Sequence, residues 1–116
     1  MIYSLLQAVL VVASAAAPAH AETGIASFYG GRHHGLKMAN GQRFDQWSDS
    51  CAHKSHRFGT RLRVTDGVTG RSVACVVRDR GPFIRGRIVD LSVAGARELG
   101  IARRGVAPVT VEVMGR

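Results

Sequence analysis

The sequence predicts a small, mainly β domain, a closed barrel with one short helix. Residues 22–116 of the 116-residue chain are enough for one domain only. Short alternating or apolar segments, separated by Gly and Pro, indicate five or six strands. One segment alone has both the start and the stop signals of a helix. Because the strands are few and the helix is single, a closed barrel fits better than a sandwich.

The first half of the domain contains one clear strand and a long loop. "TGIASFYG" (23–30) reads as the first strand and ends in a pair of glycines. Residues 31–59 show no sustained period of two or 3.6, so we expect an ordered loop with at most a short turn of helix. A loop of this length in a small domain is usually functional.

The second half contains a predicted hairpin over residues 60–78. "TRLRVTD" places Leu62 and Val64 on one face, "GVTG" supplies a turn, and "RSVACVVR" returns. "DRGPF" (79–83) breaks the pattern, and "GRIVDLS" (86–92) reads as a buried strand.

The helix and a last strand complete the chain. "VAGARELG" is preceded by Ser92 at the N-cap position and ends at Gly100, the C′ position. "APVTVEVMG" then alternates three valines on one face and is predicted as the final strand.

The N-terminus reads as a secretory signal peptide. Residues 4–17 form an uncharged apolar run, shorter than the roughly 20 residues of a membrane span. Ala19 and Ala21 follow at the positions of an A-x-A cleavage site, so we expect a signal peptide over 1–21. The alternative is an N-terminal membrane anchor. The run has no Cys to accept a lipid, so the expected product is a soluble, secreted or periplasmic monomer without a lipid anchor.

The two cysteines are most simply one disulfide. Cys51 and Cys75 both lie in the predicted mature domain, and secreted domains of this size gain from such a link. Closing the loop between them is worth roughly 3 kcal/mol in the chain-entropy model. The alternative is a reactive Cys51 beside His53 as a nucleophile pair.

The net charge of +8 restricts the partners. Nucleic acid is not expected outside the cell, and the scattered aromatic residues form no stacking platform along the sequence. An anionic cell-wall polymer fits a secreted basic domain. The plainer reading is that the arginines keep the surface solvated.

Over about residues 24–113, an ordered set of motifs resembles the RlpA-like (rare lipoprotein A) double-psi β-barrel family. The motifs are "GIASFYG", "HG", "ANG", "FD", "AH", "FGTRLRV", "DRGPF", "GRIVDLS" and "GVAPVTVEV". The resemblance implies a six-stranded double-psi barrel. It also implies a periplasmic lytic transglycosylase that prefers peptidoglycan strands without stem peptides. The fold is similar to that of expansins and some endoglucanases, which bind or cleave β-linked glycans.

The sequence departs from the family pattern at one chemically important place. The family pattern is N-G-E-x-F-D with a His eight residues after the Asp; Asp45 and His53 match, but Gln42 stands where Glu is usual. Glutamine keeps the hydrogen bonding of Glu but cannot give or take a proton at neutral pH. Arg78 also replaces a common Asn, and residues 55–57 replace an apolar step that contains proline.

Three carboxylates remain as candidate acids. A lytic transglycosylase can work with one, which protonates the leaving oxygen and then accepts the proton of the attacking C6 hydroxyl. Asp90 matches the acid of the similar expansin and endoglucanase barrels, and its apolar neighbours are expected to raise its pKa. Asp45 could be the acid or could orient His53. Asp79, flanked by Arg78 and Arg80, is expected to stay ionised and to tie the psi loop.

The predicted site residues fall in two groups. The catalytic candidates are Asp90, Asp45 and His53, and the substrate-binding candidates are Gln42, Tyr29 and Asp79. Plainer roles remain open: a helix-end partner for Asp90, a turn cap for Asp45, and a satisfied loop histidine for His53. Tyr29 and Trp47 could stack on sugars or pack the barrel.

No metal or cofactor is expected. The histidines could form a metal site, but no H-E-x-x-H or paired-Cys spacing is present; they are His33, His34, His53 and His56.

The function predicted from these observations is endolytic cleavage of peptidoglycan glycan strands with formation of 1,6-anhydro-muramic acid. The alternative is a non-catalytic, expansin-like module that binds glycan or loosens the wall, because Gln42 replaces the usual Glu.

Overall fold

A computed structural model describes residues 21–116 of the chain. The predicted signal peptide therefore lies, but for its last residue, outside the described residues. Those residues form six strands, one α-helix (α1, Val93–Leu99) and a single turn of 3-10 helix at Gly31–His33. The strands are β1 (Glu22–Phe28), β2 (Ser50–Ala52), β3 (Arg61–Asp66), β4 (Ser72–Asp79), β5 (Arg87–Leu91) and β6 (Ala107–Gly115).

The six strands close into a barrel in the order β1-β5-β2-β4-β3-β6, with β6 pairing back to β1. The pairs β1–β5 and β2–β4 are parallel, and the other pairs are antiparallel. The predicted six-stranded barrel with one short helix is confirmed. No helix among residues 21–116 has the length and apolar character that a membrane crossing needs.

The barrel interior is filled by alternate residues of the strands. Successive strand side chains point to opposite faces. Most of the inward side chains are apolar, and Asp66 at the end of β3 is a buried charged exception. Leu62 and Val64 of β3 are fully buried, whereas Arg61 and Arg63 between them are exposed. Leu99 and Ile101, at and after the end of α1, join the same core. The alternation predicted for the hairpin is therefore the alternation that builds the core.

The ends of α1 follow the sequence signals. Ser92 Oγ accepts a hydrogen bond from the Gly95 amide at 3.1 Å and donates one to the Ser48 carbonyl. Gly100 ends the helix in the left-handed conformation, with φ 84° and ψ 20°. Glycine adopts this conformation without the steric cost that a Cβ would bring. Both helix boundaries are confirmed.

The prediction of an uninterrupted loop over 31–59 is wrong at Ser50–Ala52, which form β2. All three residues are buried, and β2 lies between β4 and β5. A strand of three residues shows no period in the sequence. β2 forms because its backbone pairs with β4 on one side and with β5 on the other.

Cys51 of β2 and Cys75 of β4 are joined in a disulfide, with a Cα–Cα distance of 5.8 Å. The predicted link is confirmed, and the alternative of a reactive Cys51 thiol is wrong. The bond fastens the shortest strand of the barrel to one of its neighbours.

Candidate active site

Four residues on neighbouring strands lie in one row across the barrel wall. Asp79 of β4 is the register partner of Ala52, Ala52 is the partner of Asp90, and Asp90 is the partner of Ser27. Neighbouring strands are about 4.8 Å apart, so the Cα atoms of Asp79 and Asp90 are about 10 Å apart. Strand pairing thus brings together two of the three carboxylates singled out in the sequence.

Asp90 is half-buried and is held by Ser27, whose hydroxyl donates to Asp90 Oδ1. Burial raises the pKa of Asp90 above its ordinary value; the Ser27 hydrogen bond and the charges of Arg87 and His33 oppose this, and Asp79 adds to it. The direction agrees with the expectation from the sequence, since removal from water disfavours the charged form. The helix cap is Ser92, so Asp90 is not the helix-end partner.

Asp79 ties three parts of the chain together. Its Oδ1 accepts hydrogen bonds from the backbone amides of Ala39 at 2.8 Å and Arg80 at 2.9 Å. Its Oδ2 accepts one from the Tyr29 hydroxyl at 3.2 Å. These three donors fix the orientation of the Asp79 carboxyl group. The tying role expected for Asp79 is therefore supported by these contacts.

The guanidinium groups of the two arginines beside Asp79 bond to other residues. The Arg78 guanidinium pairs with Asp49 at 2.6 Å. The Arg80 guanidinium donates to the carbonyls of His53 at 3.2 Å and His56 at 2.8 Å. The hydrogen-bond partners of the Asp79 side chain are two backbone amides and a phenol.

Tyr29 connects the row to the loop that follows β1. Its amide donates to the Leu91 carbonyl at 3.0 Å, and its ring stacks on Phe44 with centroids 4.2 Å apart and planes 12° apart. Burial, and then the neighbouring Asp79, raise the pKa of the Tyr29 phenol, so it remains a hydrogen-bond donor. One ring face is occupied by Phe44, which leaves Tyr29 better placed to orient Asp79 than to stack on a sugar.

The hydrogen-bond partners of the His53 ring are Glu22 and two backbone amides. Its side chain is buried, and Nε2 is 2.5 Å from Glu22 Oε1. Asp45 Oδ1 instead accepts the Trp47 amide at 2.9 Å and so caps its own turn. The prediction that Asp45 orients His53 is wrong, because Glu22 at the start of β1 occupies that place. Sequence reasoning missed Glu22, since 31 positions separate it from His53 and no motif joins them.

Gln42 and Asp45 border an open cleft of about 390 Å³ beside the end of β4. Gln42 Oε1 accepts from the Asn40 side chain at 2.8 Å, and both Gln42 and Asp45 are exposed. The other residues that line the cleft are Met38, Arg43, Ser48, Asp49, Ser50 and Arg78. The predicted site residues thus form three groups: the carboxylate row with Tyr29, this cleft, and the His53–Glu22 pair.

Glu22, His53 and His56 form a cluster whose potential ligand atoms lie within 4.8 Å of one another. However, His53 Nδ1 accepts the backbone amides of Ser55 at 3.1 Å and His56 at 3.0 Å. The neutral ring therefore carries its proton on Nε2 and donates it to Glu22. A metal-binding histidine needs the reverse arrangement, with a lone pair on the ligating nitrogen and the other N–H donated to an acceptor. The cluster suits a hydrogen-bonded support and not a metal centre.

Comparison with known proteins gives the family of this chain. The family model described as "Lytic transglycolase" matches residues 21–111. The "Probable endolytic peptidoglycan transglycosylase RlpA" of Nostoc sp. is 53% identical over 95 residues, which cover 80% of this chain and 26% of that protein. The chain spans between about a quarter and two fifths of the length of its first curated relatives.

Two solved structures share the fold. A Streptomyces papain inhibitor has a TM-score of 0.65 at 24% identity, over 82% of this chain and 94% of that one. A mutant expansin of Clavibacter michiganensis in complex with cellohexaose has a TM-score of 0.62 at 24% identity, over 81% and 50%. At these identities the likeness concerns the barrel alone.

Proposed function

Because this chain belongs to the lytic transglycolase family, we propose that it is an endolytic peptidoglycan lytic transglycosylase. Its substrate would be the glycan strand of the bacterial cell wall, preferably without stem peptides, and its place of action would be the periplasm or cell surface. The names of its curated relatives support the activity and the substrate. We infer in addition that it acts as a monomer.

The observation that carries the proposal is the Asp79–Asp90 row. Two carboxyl groups in one row have different surroundings: Asp90 is half-buried with a raised pKa, and Asp79 accepts three hydrogen bonds. Glycan cleavage typically uses two carboxyl groups whose different surroundings give them different roles. Asp90 is therefore the acid of the proposal, and Asp79 is the second carboxyl group of the row.

The proposed reaction needs no water. Asp90 donates its proton to the glycosidic oxygen as the bond from C1 breaks, and the next sugar leaves with a free hydroxyl. The C6 hydroxyl of the muramic acid residue then attacks C1, and the Asp90 carboxylate accepts the C6 proton. A 1,6-anhydro ring results, and Asp90 is again protonated. Asp79 stabilises the positive charge that develops at C1, with Tyr29 fixing its orientation.

The remaining predicted residues have supporting roles in this proposal. Gln42 offers an amide to hydrogen-bond the sugar at the cleft, where a proton-transfer group is not needed. The His53 amide donates to the Asp79 carbonyl at 3.2 Å, so His53 positions Asp79 through the backbone. Asp45 shapes the loop that carries Gln42.

The test is a product analysis. Purified oxidised protein is incubated with sacculi and with amidase-stripped glycan strands, and the soluble products are read by mass spectrometry. Products ending in 1,6-anhydro-N-acetylmuramic acid are expected, and Asp90→Asn should abolish them. Glu98→Gln, which changes an exposed carboxylate on α1, is the matched control and should leave the yield unchanged.

A second candidate function is supported by Gln42, the position at which the family usually has Glu. It is a glycan-binding or wall-loosening barrel without catalysis. Sedimentation of the protein with glycan strands, combined with no soluble products from wild type, would favour this function and refute the transglycosylase. Gln42→Glu would then test whether a carboxylate at this position restores cleavage.

A further inference from the structure

The loop between β4 and β5 carries an exposed apolar pair. Phe83 is 79% exposed and Ile84 is 57% exposed, and Phe83 is the most exposed large apolar side chain among residues 21–116. Adjacent exposed apolar side chains that form a patch often mark a binding site. The pair therefore requires an explanation that barrel packing does not provide.

The pair lies next to the carboxylate row. Its loop begins directly after Asp79 and leads into β5, the strand that holds Asp90. The Phe83 ring folds back over Gly81, where an added Cβ would lie 3.5 Å from the ring. Gly81 follows Asp79 by two residues, so their Cα atoms are at most about 7 Å apart. One glycan strand in contact with Asp79 can therefore reach the Phe83 ring.

The other candidate aromatics are already in contact with protein groups. Tyr29 stacks on Phe44, Trp47 lies under the Arg97 guanidinium at 4.9 Å, and Phe58 lies under the Arg80 guanidinium at 4.0 Å. Within the described part of the chain, Phe83 has no ring or cation partner. Apart from the part that faces Gly81, the Phe83 ring is open to solvent and available for a ligand.

We propose that Phe83, with Ile84 beside it, is a sugar-stacking subsite for the glycan strand on the Asp79 side of the row. The proposal rests on the proposed function for its ligand. A pyranose ring presents a face of C–H groups, which an aromatic ring covers well through its apolar and negatively polarised face. The subsite holds a sugar next to the cleaved bond and so sets where along the strand the carboxyl groups act.

A membrane surface is the less favoured occupant. Two apolar side chains bury too little area for stable attachment, because even a single acyl chain holds a protein on a membrane only marginally. The nearness of the pair to Asp79 has no role in membrane attachment, whereas a glycan ligand explains it.

The first experiment measures binding of the purified full chain to amidase-stripped glycan strands by sedimentation. Phe83→Ala should weaken binding about tenfold, and Phe83→Trp should retain it. Val68→Ala is the matched control, since Val68 is 69% exposed in the β3–β4 turn, and it should bind as wild type does. Equal binding by Phe83→Ala and wild type would overturn the proposal.

The second experiment uses fluorescence, which a loss of folding cannot mimic. The chain has one Trp, so Trp47→Phe combined with Phe83→Trp places the only indole at the proposed subsite. Its emission should shift to shorter wavelengths when glycan strands are added. An unchanged emission would contradict the proposal. A second result would also contradict the proposal and indicate a membrane-binding role. In that result, Phe83→Ala loses binding to vesicles of phosphatidylethanolamine and phosphatidylglycerol but keeps its binding to glycan.

The subsite and the proposed function can fail separately. If wild type forms 1,6-anhydro products and Phe83→Ala binds and cleaves like wild type, the subsite is refuted and the enzyme stands. If wild type binds glycan without forming products and Phe83→Ala loses that binding, the enzyme is refuted and the subsite is supported.

Discussion

Removing the disulfide should destabilise the barrel strongly. The perturbation is the double substitution Cys51→Ala and Cys75→Ala. The two cysteines are 24 positions apart, and for a loop of about 25 residues the chain-entropy relation gives about 3.5 kcal/mol at 25 °C. Small domains are stable by only about 5–15 kcal/mol in total. The disulfide therefore supplies a large part of the free energy of unfolding.

The same magnitude can be expressed as a change in Tm. A domain of about 95 residues unfolds with an entropy of about 0.2 kcal/mol/K, so a loss of 3.5 kcal/mol lowers Tm by about 17 °C. Both cysteines are buried, so truncation to alanine also removes packing contacts, which acts in the same direction.

The structure also indicates where the barrel should open first. β2 has three residues and pairs with β5 through two register partners, Cys51 with Leu91 and Ala52 with Asp90. This is the shortest strand pairing in the barrel, and without the disulfide β2 has no covalent link to β4. Amide hydrogen exchange should rise first in β2 and in the facing part of β5.

The assay is urea unfolding of the oxidised wild type and the double variant, with hydrogen exchange on both. A reductant should lower the stability of the wild type and leave the double variant unchanged, which controls for the alanine truncations. A loss below about 1 kcal/mol, or unchanged exchange in β2, would refute the argument that the disulfide holds the barrel closed.

Three further predictions concern single side chains. Asp66 is fully buried, and its hydrogen bond from Arg104 is the main cause of its lowered pKa; Asp66→Asn should cost about 2 kcal/mol of unfolding free energy near neutral pH. The Asp66 pKa is lower in the folded protein than in the unfolded chain, so its ionised form stabilises the fold. Urea unfolding should therefore show the full stability difference between wild type and Asp66→Asn above the ordinary pKa of 3.8. The difference should shrink as the pH falls below 3.8. Glu22→Ala should lower the rate of anhydro-product formation several-fold, whereas Glu22→Gln should retain most of it, because an amide oxygen still accepts the His53 Nε2 proton; equal rates in both variants would contradict this role. Gln42→Glu should preserve or raise turnover on stripped strands, and a loss of products would show that the amide itself is required.

Local signals explain which parts of the fold were predictable. The hairpin of β3 and β4 was predictable because its apolar alternation and turn are adjacent in the chain. Helix α1 was predictable because Ser92 and Gly100 satisfy its end groups within one turn. The disulfide was predictable because two cysteines in an oxidising compartment allow one pairing.

The site was predictable only in part. Asp79 and Asp90 were singled out, and the raised pKa of Asp90 followed from its apolar neighbours. The partners of these groups were not predictable, since Ser27 on β1 is 63 positions from Asp90, and Tyr29, directly after β1, is 50 positions from Asp79.

The sequence by itself determined the barrel class, the helix and the family, because each depends on the order of residues along the chain or on neighbours within a few positions. It determined the disulfide because two cysteines allow one pairing. Only the tertiary structure decided that β2 is a strand, that His53 pairs with Glu22 instead of Asp45, and that Asp79 and Asp90 share a row. These features depend on hydrogen bonds between strands that are distant in sequence. Such bonds form when the barrel closes, and a single segment contains no signal for its partner.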